Sequence, residues 1–232
     1  MSIKEVMDFL EQHGSEQTKK ILVKHGAKEP FFGVKAADLA KLQKKIKVDY
    51  KLSLELYNTG NSDAMYFAGL ITDPDQFDKN TLNKWAKEAY WYYISDHTVP
   101  NVTSRTKYAF ELALEWINSD SEFIESAGWT TLARFVSHST PDSNQMEILQ
   151  SHLKQAGESL HKAKNRVRYA MNGFIIACGS FEPSLNPAAR EVAIQIGKVE
   201  VEMGGTACKV PLATEYIKKV TDMGKMGVKR KK

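Results

Sequence analysis

Four consecutive aromatics, Tyr90, Trp91, Tyr92 and Tyr93, stand just ahead of an Asp96-His97 pair in the stretch AYWYYISDHTV. Aromatic faces attract positive charge and a carboxylate reinforces the attraction, so these residue types in one patch suit a flat, cationic ligand. The periodicity predicts a helix over 81–95. Each residue of a helix turns the side chain by about 100°, so the four rings cannot share one face. Leu82, Ala86, Tyr90 and Tyr93 form the expected core stripe, while Trp85, Tyr92 and Asp96 fall on a second line with Trp91 beside it. An outward aromatic surface ending in a carboxylate follows. Asp96 also precedes Pro100 and suits a turn or capping residue, although a carboxylate at a helix C-terminus lies on the unfavourable side of the dipole. His97 reads as a surface or turn histidine.

Positive charge concentrates elsewhere, although the formal net charge is only +4. His161-Lys-Ala-Lys-Asn-Arg-Val-Arg168 crowds cations at the start of an expected helix, against its dipole. Local folding gives no reason for them, whereas phosphate contact does. A solvated basic turn is the alternative. The C-terminal MGKMGVKRKK reads equally as a solubilising end or a basic arm. In Gly204-Gly-Thr-Ala-Cys-Lys-Val-Pro211, backbone amides and Lys209 could meet a phosphate, but the Walker and dinucleotide spacings are absent and a simple turn serves as well.

The elements that must position these residues are helices. Leu, Ala, Ile and aromatics recur at three- and four-residue spacing, and no period-two strand emerges, so the class is all-α. Helix pairs begin near Asp63, Thr103, Asp142 and Pro187, a spacing of about forty residues that matches HEAT-type repeats. The expectation is an α-α superhelix of HEAT-like repeats, one curved domain over 1–225 with a concave groove and a basic tail over 226–232. An irregular helical bundle is the alternative. Second helices at about 81–95, 121–136, 162–177 and 211–221 would line the groove. Two cysteines, Cys178 and Cys208, lie outside metal-ligand spacing, which suits a reduced compartment, and Cys208 reads as a structural thiol rather than a nucleophile. The N-terminus lacks signal-peptide features and no apolar run reaches membrane-spanning length, so a cytoplasmic, soluble protein without membrane contact is expected.

The segment Gly33-Val-Lys-Ala-Ala-Asp-Leu-Ala-Lys-Leu42, the forty-residue pairing and Trp91-Tyr-Tyr-Ile-Ser-Asp96 together resemble the AlkD-type DNA alkylation repair family, whose members are HEAT-like repeat DNA glycosylases. The resemblance implies a monomer that holds double-stranded DNA in a basic groove, nucleoid-associated when bound, and excises N3- or N7-alkylated purines without metal or cofactor. Such bases are cationic and leave readily. By resemblance Asp96 supplies the carboxylate that stabilises the developing charge and positions water, and Trp91 or Tyr92 the aromatic wall. Arg134, Lys164, Arg166, Arg168 and Lys209 would contact phosphates. The chain departs from the family at three places. Ser126 stands where a groove arginine is expected, Gly173 where a groove tryptophan is, and Asn61-Ser-Asp-Ala-Met-Tyr66 replaces a His-Glu-x-x-Arg-like helix start. A noncatalytic DNA-binding relative and a helical scaffold for a protein partner are the competing readings.

Overall fold

The computed structural model describes residues 1–231, so Lys232, the last residue of the expected basic tail, lies outside the described residues. Among them are thirteen α-helices: α1 (Ile3–His13), α2 (Glu16–Lys24), α3 (Ala36–Ile46), α4 (Tyr50–Tyr57), α5 (Ser62–Ile71), α6 (Lys79–Glu88), α7 (Val99–Thr103), α8 (Ala109–Ile117), α9 (Glu122–His138), α10 (Ser143–Ser159), α11 (Asn165–Phe181), α12 (Asn186–Ile196) and α13 (Ala213–Asp222). A π-helical turn over Ile94–Thr98 leads into α7. Side chains fix many helix starts. Ser2 with Glu5, and Asp142 with Gln145, close capping boxes, and Asp49, Asn61 and Asp78 cap α4, α5 and α6. No strand forms among the described residues, only an isolated bridge between Gly14 and Val34.

The chain packs as two compact units, Met1–Thr106 with Met203–Ala207, and Lys107–Glu202 with the chain from Cys208 onward. In the first unit α5 is the central helix. Ser62, Asp63, Ala64, Met65, Phe67, Ala68, Gly69 and Ile71 are all buried, and α1, α3, α4 and α7 pack around it. Gly69 is where the π-turn comes closest, since a Cβ there would lie 2.6 Å from the Thr98 methyl.

The expected single helix over 81–95 is broken. Trp85 stacks on Tyr57 at 3.9 Å with an interplanar angle of 4°, and the Tyr57 hydroxyl donates to the Trp85 carbonyl at 2.6 Å. Trp91 is buried as well. On one helix these two indoles would point about 120° apart, so burying each against its own partners requires the chain to turn. It turns at Ala89, whose backbone is extended. The predicted core stripe is thereby corrected, because both tryptophans lie inside while Tyr90 and Tyr93 are half-buried.

In the second unit the helices form two layers, as the repeat spacing predicts. The second helices α9, α11 and α13 are neighbours in one layer, α10 packs on α12, and α8 packs on α9. Gly128 allows the α8–α9 approach: a Cβ there would lie 2.6 Å from the Ile117 amide nitrogen and 2.9 Å from the Trp116 carbonyl carbon. Backbone cannot yield as a side chain can. Gly128→Ala is therefore expected to destabilise by about 1–3 kcal/mol, with a melting temperature lower by roughly 2–4 °C for each kcal/mol. An unchanged melting curve would show that the two helices slide apart at no cost.

The basic tail is docked on this unit. The Lys229 ammonium donates to the Val136 carbonyl at 2.9 Å and pairs with Glu182 at 3.3 Å, the Arg230 amide donates to the Ser137 carbonyl at 2.8 Å, and its guanidinium lies 4.8 Å from the Phe181 ring centre. Val136 and Ser137 belong to the last turn of α9, where unpaired carbonyls and the dipole favour cations.

Candidate nucleic-acid interface

After the Ala89 break, the Tyr90 hydroxyl donates to the carbonyls of Gly60 at 3.0 Å and Pro30 at 3.3 Å, tying the aromatic run to the loops before α3 and α5. Trp91 turns inward and is only 2 % exposed; its indole Nε1 is buried without a partner. Around it lie Tyr92 at 5.5 Å and Tyr93 at 5.3 Å. Tyr93 stacks on Tyr66 of α5 at 4.7 Å and has the exposed His97 ring 5.4 Å away. The Tyr92 hydroxyl is 2.9 Å from Nδ1 of His25. Burial, with Tyr66 alongside, pushes the Tyr93 phenol far above its ordinary range, so it remains a neutral donor.

Asp96 sits in the π-turn, 5 % exposed, and accepts a hydrogen bond from the Ser95 hydroxyl at 2.9 Å. π-turns recur at functional sites. The inward carboxylate nevertheless offers little surface to a nucleobase. Of the aromatic residues around it, Tyr66, Tyr90, Tyr92 and Tyr93 are half-buried and His97 is exposed.

A second carboxylate, unassigned by the sequence reading, organises the neighbouring loop. Asp63, in the first turn of α5, accepts from the amides of Phe32 at 2.6 Å, Gly33 at 2.9 Å and Val34 at 3.3 Å. Burial raises its carboxyl above the ordinary aspartate range, against the lowering effect of the three amides. Gly33 has φ +77°, and a Cβ there would lie 2.8 Å from the Lys19 amide nitrogen. The Gly33-Val-Lys motif is thus part of a loop pinned by Asp63. The one local clue was an acid in the first turn after the Asn61 cap.

The cations expected to meet phosphates lie in the second unit, several of them already engaged. Lys164 pairs with Glu125 at 2.9 Å, and Glu122 accepts the Arg166 amide at 2.7 Å. Arg166 is 7 % exposed with its guanidinium 4.7 Å from the Tyr169 ring centre. Arg168 donates to the Glu200 carbonyl at 2.9 Å. Folding therefore does supply a reason for this basic run, contrary to the local reading: carboxylates from the first turn of α9 face the start of α11. Arg134 is half-buried in α9, and Lys209 is exposed. Ser126 is fully buried, whereas a side chain added at Gly173 would meet open space.

In the 204–211 loop, Gly204 has φ +66° and a Cβ there would collide with the Lys24 carbonyl, which accounts for that glycine without a phosphate. Cys178 is buried and Cys208 exposed. No group of three or more His, Cys, Asp or Glu residues able to hold a metal occurs among the described residues, and no helix there is long and apolar enough to cross a membrane.

Three comparisons bear on the fold and its use. Residues 6–194 match the family model described as DNA alkylation repair enzyme. A Listeria monocytogenes protein, Lmo0209, described as uncharacterized, is 33 % identical over 214 residues, 90 % of this chain and 92 % of its own. A Listeria innocua protein, Lin0241, also described as uncharacterized, is 33 % identical over 208 residues, 87 % and 89 % of the two chains. A solved structure superposes with a TM-score of 0.88 at 36 % identity, covering 100 % of this chain and 99 % of the other. It is described as representing a new family of proteins related to the HEAT-like repeat DNA glycosylases with affinity for branched DNA structures.

Proposed function

Because this chain belongs to the DNA alkylation repair enzyme family and has the HEAT-like repeat fold, we propose that it binds branched duplex DNA and releases no base from it. The observation that carries this reading is the withdrawal of the expected chemistry into the fold: Trp91 is 2 % and Asp96 5 % exposed. Excision needs a carboxylate and an aromatic face at the sugar of the departing base. Binding at a branch needs less. A junction exposes the end faces of base-pair stacks and unpaired bases, and partly exposed rings such as Tyr92, Tyr93 and His97 suit stacking on them. Phosphate contacts then fix the arms. The likeness to a relative with affinity for branched DNA supports the same partner.

A second reading, excision of N3- or N7-alkylated purines, is favoured by one feature, the Asp96 carboxylate lying directly after the aromatic run. The two readings separate in one assay. Duplex DNA treated with a methylating agent is incubated with excess protein and free base is quantified, beside titration of an immobile four-way junction. The expected result is saturable junction binding with base release at the uncatalysed rate. Release that is rapid in the wild type and lost in Asp96→Asn would establish the glycosylase instead.

A further inference from the structure

The most one-sided charge in the first unit lies away from the aromatic cluster, at the end of α3 and in the turn to α4. Residues 41–51, KLQKKIKVDYK, hold five lysines and one acid. That acid is committed, because Asp49 caps α4 by accepting from the Leu52 amide at 3.0 Å. Lys41 pairs with Asp38 at 2.9 Å. Lys44, Lys45, Lys47 and Lys51 are exposed and enter no ion pair among the described residues.

The dipole at the end of α3 favours cations at Lys44, Lys45 and the C-cap residue Lys47, but it gives no reason for a side chain in the backbone conformation that Lys47 adopts. Lys47 has φ +67°, and among the described residues it is the single non-glycine residue with positive φ. Glycine would take that backbone with less strain, so the fold keeps an ammonium group where conformation favours none. The turn is firmly held: Gln43 donates to the Leu70 carbonyl at 2.8 Å, and the Asp49 amide to that of Ile71 at 2.8 Å. It therefore sits at the C-terminal end of α5, while the Asp63-pinned loop sits at the other. The ten residues of α5 span about 15 Å, less than half of the roughly 34 Å helical turn of duplex DNA.

We infer that Lys44, Lys45, Lys47 and Lys51 form a phosphate-binding patch for one duplex arm, the exposed Val48 marking the tip of the turn. This rests on the branched-DNA reading above. The test compares wild type, Lys47→Gly, and a triple variant with Lys44→Ala, Lys45→Ala and Lys47→Gly, by fluorescence anisotropy on a four-way junction across a salt series, with melting curves for each. The triple variant should lose about tenfold or more in junction affinity, and the salt slope should fall by about 2–3, close to one for each phosphate contact removed. Lys47→Gly should melt roughly 2–4 °C higher and yet bind more weakly. Wild-type binding that survives the triple substitution with an unchanged slope overturns the patch alone. Absence of wild-type junction binding removes the wider reading with it.

Discussion

Trp91→Ala should lower stability by about 3–5 kcal/mol, the cost of truncating a buried indole, and the melting temperature by on the order of 10 °C. The ring packs against Tyr92 and Tyr93 and is 2 % exposed, so its removal leaves a cavity under the π-turn that holds Asp96. Trp91→Phe should cost far less, about 1–2 kcal/mol, since it keeps an aromatic ring and deletes a buried Nε1 that has no partner. Thermal and urea denaturation of the two variants decides the matter. An alanine variant as stable as wild type but defective with DNA would place the indole at the ligand and contradict the structural role given to it here.

A comparable loss is expected from Asp63→Ala, which leaves the amides of Phe32, Gly33 and Val34 without their acceptor. Orphaned buried donors cost about 1–3 kcal/mol each, and partial exposure of the Phe32 end limits the total to roughly 3–5 kcal/mol. Asp63→Asn retains one acceptor oxygen and should lose about half as much. Amide hydrogen exchange locates the effect: protection at residues 32–34 should collapse in the alanine variant before the rest of the unit is affected. Uniform loss of protection, or none, would mean that the loop is held by other contacts.

Much of this arrangement follows from short-range pattern. The forty-residue pairing predicts α9, α11 and α13 as one layer of second helices, and their observed spans lie within a few residues of the expected ones. That pattern depends on spacing along one chain segment, which a sequence displays directly. The break after Glu88 is different in kind. Nothing between 81 and 93 is a glycine or proline, and the turn is dictated by the need to bury Trp85 against Tyr57 and Trp91 elsewhere. Partners at long range are equally hidden, as with Asp63 and the 32–34 amides, His25 and Tyr92, or Glu122 and Arg166. The cations at the start of α11 stood out because they oppose a dipole, yet carboxylates one repeat earlier answer them. Lys47 shows the converse, since only its φ reveals that its position is costly.

The central claim, recognition of branched DNA without base excision, is tested most directly by competition at equilibrium. A labelled four-way junction bound to the intact protein is challenged with unlabelled junction or with linear duplex of the same sequence, at fixed salt. Linear duplex is expected to compete at least tenfold less effectively, a preference of about 1.4 kcal/mol, with the DNA recovered intact. Equal competition by linear duplex, or recovery of DNA with bases missing, would contradict it.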